Sequence, residues 1–359
     1  MSSILPHLPP EIIIDILSRL PAKPLFRFKC VCTSWLSLIS NNPEFAKAHL
    51  RHAKQDTGVN RYRLCLPKSP FQSIDHDAYC YGNNVVTRNL TYRHAVTDEL
   101  DFIGSCNGLI ALALDSDSDI IVWNPTTGDS RLLPPGDSSM SDKVFSGFGY
   151  DSYLDDYKVV RGVAAASSES GIKMEVFNLK GNTWRSINDL KSNISINGSC
   201  ISINGFLYWL VHIEHYPNEK LGIISFDLAE EKFVEMVEVP DDLTKKFGSN
   251  SLKMHRVGEN VCVCTDCYQD CYEGWIMERD GSEISWRKWY SFRKQRMPRC
   301  QQWCEVIWVA KNGNVLFDFD GTGLLLHNPE AHRSFQYHIN WEGFQTITYL
   351  ETLVSPNSV

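Results

Sequence analysis

The chain has 359 residues, of which 43% are hydrophobic and 22% charged, and its formal net charge is −8. That length supplies one large domain, or a large one with a small one, around a proper core. The acidic balance argues against a dedicated nucleic-acid binder, which carries a basic excess.

The start, "MSSILPHLPPEIII", has neither a basic stretch nor an apolar stretch ahead of a small-residue cleavage site, so no signal peptide is expected. No apolar run approaches the roughly 20 residues that span a bilayer. The twelve cysteines are then expected as thiols in a reducing compartment, cytosol or nucleus.

In "LPPEIIIDILSRL", residues Ile12, Ile13, Ile16, Leu17 and Leu20 fall on one helical face, opened by Pro9 and Pro10 where a missing N–H costs nothing. "PAKPLFRFKCVCTSWLSLIS" predicts a short helix after Pro24 and another through Trp35 to Ile39. "NNPEFAKAHL" restarts with Asn42 as N-cap and Pro43 in the first turn. These elements make a bundle of about 50 residues, a size that is marginal alone. Leu8, Ile12, Leu17, Leu20, Leu25, Phe28, Val31, Trp35 and Leu38 are too many apolar side chains for so small an interior. Either the rest of the chain or a partner protein must cover some of them. Cys30 and Cys32, two apart, would point about 200° from each other on a helix and cannot share a metal ion. They are expected as small buried packing residues.

The string "LPPEIIIDILSRLPAKPLFRFKCVCTSWLSLISNNPEF", residues 8–45, resembles an F-box of the plant type. The resemblance implies that the segment binds a Skp-type adaptor, and through it a cullin scaffold, in a ubiquitin ligase. Carried over position by position, the implied contact set is Leu8, Pro9, Ile12, Leu17, Leu20, Pro21, Leu25, Val31 and Trp35. At roughly 1.5–3 kcal/mol for each fully buried apolar side chain, a handful could hold an interface of about 1,600 Å².

After a polar joint near "RHAKQDTGVNRY", expected as a linker over 51–60, helical spacing gives way to short β-type runs broken by Gly, Asn and Asp. A strand–turn–strand unit returns with turn residues Asn124, Asn178, Asp227, Arg279 and Asn328, roughly 50 residues apart. A second hairpin precedes each copy, three of them with an Asn-Gly pair: Asn107-Gly108, Asn204-Gly205 and Asn312-Gly313. Two hairpins per period make four strands per blade, and a closed ring protects the blade edges. Residues 60–100 and the tail "TITYLETLVS" are expected to share a further blade that locks the ring.

The strings "GSCNGLIAL", "VWNPTTG", "GFGYDSYLDDYKVV", "EVFNLKGNTWRSI", "ISFDLAEEKF" and "YLETLVSP" resemble the plant F-box-associated domain, a kelch-like propeller also found in S-locus F-box proteins. The chain departs from kelch blades in having no Gly-Gly pair. The expected fold is therefore mainly β, a small helical F-box over 1–50 followed by a kelch-like β-propeller over 61–359.

Three clusters test for chemistry. Cys264 and Cys267 have the spacing of a zinc half-site, with Cys300 and Cys304 able to supply the other half and His255 nearby. Against this, Cys262 and Cys264 share one side of a strand, as blade-core thiols should, so no metal or cofactor is expected. "WRKWYSFRKQRMPR" interleaves basic and aromatic side chains. It reads as a solvated inter-strand loop or as a docking patch for an acidic target, with Trp286, Arg287, Trp289, Arg293 and Arg296 as candidate contacts. The acidic runs "DSDSD" and "YLDDYK" read as solvated turns. No G-x-S-x-G, H-E-x-x-H or P-loop occurs. The resemblance thus implies a non-catalytic receptor that holds a target protein for ubiquitination. A propeller scaffold outside ubiquitination and, less favoured, a metal-dependent propeller enzyme remain open.

Overall fold

The structure, a computed structural model, describes residues 8–56, 61–67, 70–75, 87–92, 100–114, 119–136, 143–164, 171–190, 194–213, 220–248, 252–265, 271–281, 283–293, 304–309, 314–319, 323–328, 330–331, 333–338 and 346–358. Four helices come first: α1 (Pro10–Ser18), α2 (Ala22–Phe28), α3 (Thr33–Asn41) and α4 (Pro43–Gln55). α4 carries the expected cap, the Asn42 Oδ1 accepting the Phe45 amide at 3.0 Å with Pro43 in the first turn. It then runs to Gln55, so the first half of the expected 51–60 linker is helix. "RHAKQ" holds no breaker, and the Asp56 amide still donates to His52 O.

Six four-stranded antiparallel sheets follow, with a further helix, α5 (Asp241–Phe247), between the fourth and fifth. Blade 1 joins Ile347–Leu350 to Tyr62–Leu66, Gln72–Asp75 and Thr87–Asn89, the shared sheet expected from the two ends of the β-region. Blades 2 to 6 each use four consecutive strands and begin at Leu100, Lys143, Ile194, Leu252 and Cys304. Their first strands pack on one another around the centre, as a ring requires.

Local sequence explains the turns. Asn107-Gly108 and Asn204-Gly205 take φ of 53° and 88°, and of 49° and 84°, the doubly positive geometry of a type I′ hairpin. Asn312-Gly313 lies outside the described residues. Asn124, Asp227 and Asn328 stand at the ends of third strands, where each side-chain oxygen accepts a backbone amide two or three residues on.

Alternation sends Trp209, Phe177, Phe226 and Phe317 into fully dry blade cores. Two described clusters pair buried charge. Lys158 Nζ meets Asp151 at 2.7 Å and Glu231 at 2.8 Å, while Arg161 meets Glu175 at 2.6 Å and stacks on Trp184. The tip of the "YLDDYK" hairpin is solvated, with Tyr153 and Leu154 exposed and Asp155 partly so, but its base is not. Asp151 and Asp156 are buried, because Lys158 neutralises the first and the Tyr157 and Lys180 amides saturate the second. "DSDSD" falls largely outside the described residues. No described helix is long and apolar enough to cross a membrane.

Antiparallel order gives each blade two ends. The first–second and third–fourth turns leave at one end; the second–third and blade-to-blade connections leave at the other. The bundle and the tail after Leu350 contact residues of the first kind, Asp155, Asn107 and Asn124.

Candidate protein-docking face

α1 opens on Pro9 and Pro10 without a side-chain cap, and Glu11 suits the positive end of its dipole. Its other end is closed from the propeller side. The Arg61 guanidinium donates to Arg19 O at 2.7 Å and Leu20 O at 3.3 Å, and pairs with Asp56 at 3.1 Å. His49 Nε2 lies 3.0 Å from Leu20 O. Burial, aided by the Arg61 charge, lowers the His49 pKa to about 4, so the ring is neutral and donates.

Spacing divides α1 into two faces. Ile13, Leu17 and Leu20 point into the bundle, where Leu17, Ala22, Leu25, Ile39 and Phe45 form the core with Leu353 from the far end of the chain. Phe28 and Trp35 cover it edge to face, ring centroids 5.6 Å apart. Ile12 and Ile16, one turn apart, point outward at 47% and 48% exposure, and Leu8 precedes them at 56%. Val31 (61%) on the α2–α3 turn and Leu36 (46%) on α3 are also bare. A soluble chain that leaves this many large aliphatic side chains in water on one small bundle presents a surface fit for another protein.

The expected contact set therefore divides. Leu8, Pro9, Ile12 and Val31 are exposed, whereas Leu20, Pro21 and Trp35 are half-buried. Leu17 (2%) and Leu25 (0%) are corrected from contact residues to core residues, since both are filled against Ile39, Phe45 and Leu353. Ile16 and Leu36, outside that set, are exposed as well. Ile16 was findable as the i+4 neighbour of Ile12; the outward side of α3 carried no such signal. Cys30 and Cys32 need correction too. α2 stops at Phe28, Cys32 is extended (φ −162°), and both thiols are exposed beside Val31.

As far as Arg293 the basic-aromatic segment is an outer strand, Glu283–Arg293, rather than a loop, and residues 294–299 lie outside the described residues. Trp286 and Trp289 lean inward, half-buried on the blade 4–5 and blade 5–6 cores. Arg287 pairs with Glu278 at 2.6 Å, and Lys288 pairs with Glu273 at 3.0 Å over the Trp275 ring. These charges are already answered within their own blade. The Arg293 side chain and Arg296 lie outside the described residues.

Cys262 and Cys264 share one side of their strand, Sγ atoms 3.4 Å apart, sealed in a core with Tyr272 and Tyr290. Cys267, Cys300 and the side chain of Cys304 lie outside the described residues, so the four-cysteine set cannot be assembled from them. Among the described residues no three of His, Cys, Asp and Glu are grouped to hold a metal ion.

Sequence comparison matches residues 5–47 to the F-box domain and residues 63–351 to the F-box associated beta propeller domain. The F-box/kelch-repeat protein At3g23880 of Arabidopsis thaliana is 30% identical over 380 residues, covering 99% of this chain and 97% of the relative. The F-box protein CPR1 of the same plant is 29% identical, covering 90% and 82%; the F-box protein At3g07870 is 27% identical, covering 97% and 92%. An F-box implies binding to a Skp-type adaptor. The chain belongs to the F-box proteins that carry an F-box-associated β-propeller.

Proposed function

We propose that this protein is the substrate receptor of a Skp–cullin–F-box ubiquitin ligase. Leu8, Ile12, Ile16 and Val31 take the adaptor, the adaptor brings the cullin scaffold, and the propeller holds the target. The chain breaks no bond itself. It raises the effective concentration of target lysines beside a charged ubiquitin-conjugating enzyme. The observation that carries this reading is the exposed aliphatic stripe on a bundle whose own core is already filled.

The target is assigned to the end of the propeller away from the bundle, where the second–third and blade-to-blade connections leave the sheets. Arg293 ends its strand at that end. Cytosol or nucleus is the proposed location, where twelve cysteines stay as thiols. The test is reconstitution of the full-length chain with a Skp-type adaptor, a cullin and a ubiquitin-conjugating enzyme. Co-elution with the adaptor, and ubiquitin transfer to proteins captured by the propeller, are expected. A chain that elutes alone in the presence of excess adaptor would refute the receptor role.

A further inference from the structure

The strand Ile347–Leu350 closes the ring by pairing with Tyr62–Leu66. The residues after it thread between ring and bundle, and their side chains alternate between the two. Thr352 Oγ1 donates to Asn107 O at 3.0 Å, and Val354 packs in the core shared by blades 2 and 3. Leu353, between them, is buried in the helical core against Leu17, Leu25 and Phe45. Among the described residues of that core, it alone comes from beyond residue 55.

The thread is fixed along its length. The buried Asn124 amide donates to Thr352 O (3.1 Å) and Val354 O (2.6 Å), and Arg131 donates to Pro356 O (3.2 Å). The Glu351 amide donates to Arg61 O, and the Arg61 side chain is the group that closes α1. A Cβ at Gly108 would lie 2.1 Å from Thr352 Oγ1 and 2.6 Å from Leu350 O, so the adjoining turn accepts only glycine while the thread is seated.

Leu353 thus backs the inner side of the helix whose outer side is the docking stripe. A bundle of about 50 residues has little core to spare, and its apparent affinity scales with the fraction of chains in which it is ordered. We propose that Leu353 is a positioning residue for adaptor docking, making an ordered docking face conditional on closure of the ring by Ile347–Leu350. A chain with an open propeller then presents no competent F-box. This rests on the adaptor reading above. Because coupling is reciprocal, adaptor binding must also tighten the ring closure.

Hydrogen exchange on the full-length wild-type chain, with and without a purified Skp-type adaptor, tests the coupling without any variant. Exchange at the Ile347–Val354 and Tyr62–Leu66 amides is expected to slow about tenfold when adaptor binds. Leu353→Ala should weaken adaptor affinity about tenfold or more while amides in blades 4 and 5 keep their protection, and Leu353→Met should restore affinity to within about twofold. Wild-type binding with unchanged exchange at the closing strand, or Leu353→Ala binding as tightly as wild type, would overturn the coupling alone. Failure of the wild-type chain to bind adaptor would overturn the adaptor reading and the coupling together.

Discussion

In the helical bundle, Leu8, Ile12, Ile16 and Val31 stand in water, whereas in blades 3 and 4 Phe177, Leu207, Trp209 and Phe226 have no exposed surface at all. Both regions draw on the same kinds of side chain. A four-stranded blade has two faces, and its neighbours in the ring cover both. A 9-residue helix such as α1 on the outside of a four-helix bundle has one side covered and one side open. Dry surface in the blades therefore reports folding, and wet apolar surface on the bundle is the surface proposed for docking. Substitutions in the two regions should separate stability from binding.

The largest effect is expected from Ile12→Asp combined with Val31→Asp. Adaptor affinity should fall at least a thousandfold, about 4 kcal/mol, in isothermal titration. Urea unfolding should stay within about 0.5 kcal/mol of wild type, because both side chains are already exposed. Unchanged affinity would remove the docking face from α1 and the α2–α3 turn. The mirror experiment is Trp209→Ala. The ring is buried against Phe145, and its Nε1 donates to Ser146 O at 2.9 Å. Stability should drop by about 4 kcal/mol in the same denaturant assay, with adaptor affinity of the folded fraction retained.

A third effect lies at the joint between the regions. His49 has a folded pKa of about 4 against an ordinary 6.5, with Arg61 and His52 as the charges that bear on it. Between those values the unfolded chain takes a proton that the folded chain refuses. The stability it contributes is full above about pH 6.5 and is lost as pH falls towards 4, by about 3 kcal/mol. His49→Asn should flatten the stability–pH curve over that window relative to wild type; parallel curves would show that the ring is solvated. The smallest effect is expected from Arg287→Ala. Its pair with Glu278 is half exposed, so the loss should stay within about 0.5 kcal/mol by thermal melting. A larger loss would show that the outer strand of blade 5 contributes more to the ring than its exposed charges suggest.

The features that were legible in the sequence are those in which a short string dictates its own backbone. Asn-Gly set the hairpins, Asn42-Pro43 set the start of α4, and the recurring turn residues set the blades. Even the shared first blade followed from a strand-like tail left over after five repeats. What was not legible depended on where a second element would land. The apolar face of α1 was visible, but its division into inward Leu17 and outward Ile16 depends on where α2, α3 and α4 press. Cys30 and Cys32 were read as helical because nothing local marks the end of α2 at Phe28. The burial of Lys158 and Arg161 depends on Asp151 and Glu175 from neighbouring strands and Glu231 from a turn of the next blade. Leu353 carried no sign at all of its place among the helices.

That last residue also sets an order in time. On the ribosome the four helices emerge first, yet their interior stays open until the residue that fills it has been translated, after every blade strand. On the proposed coupling, a nascent chain offers an adaptor no finished docking face until its propeller is complete.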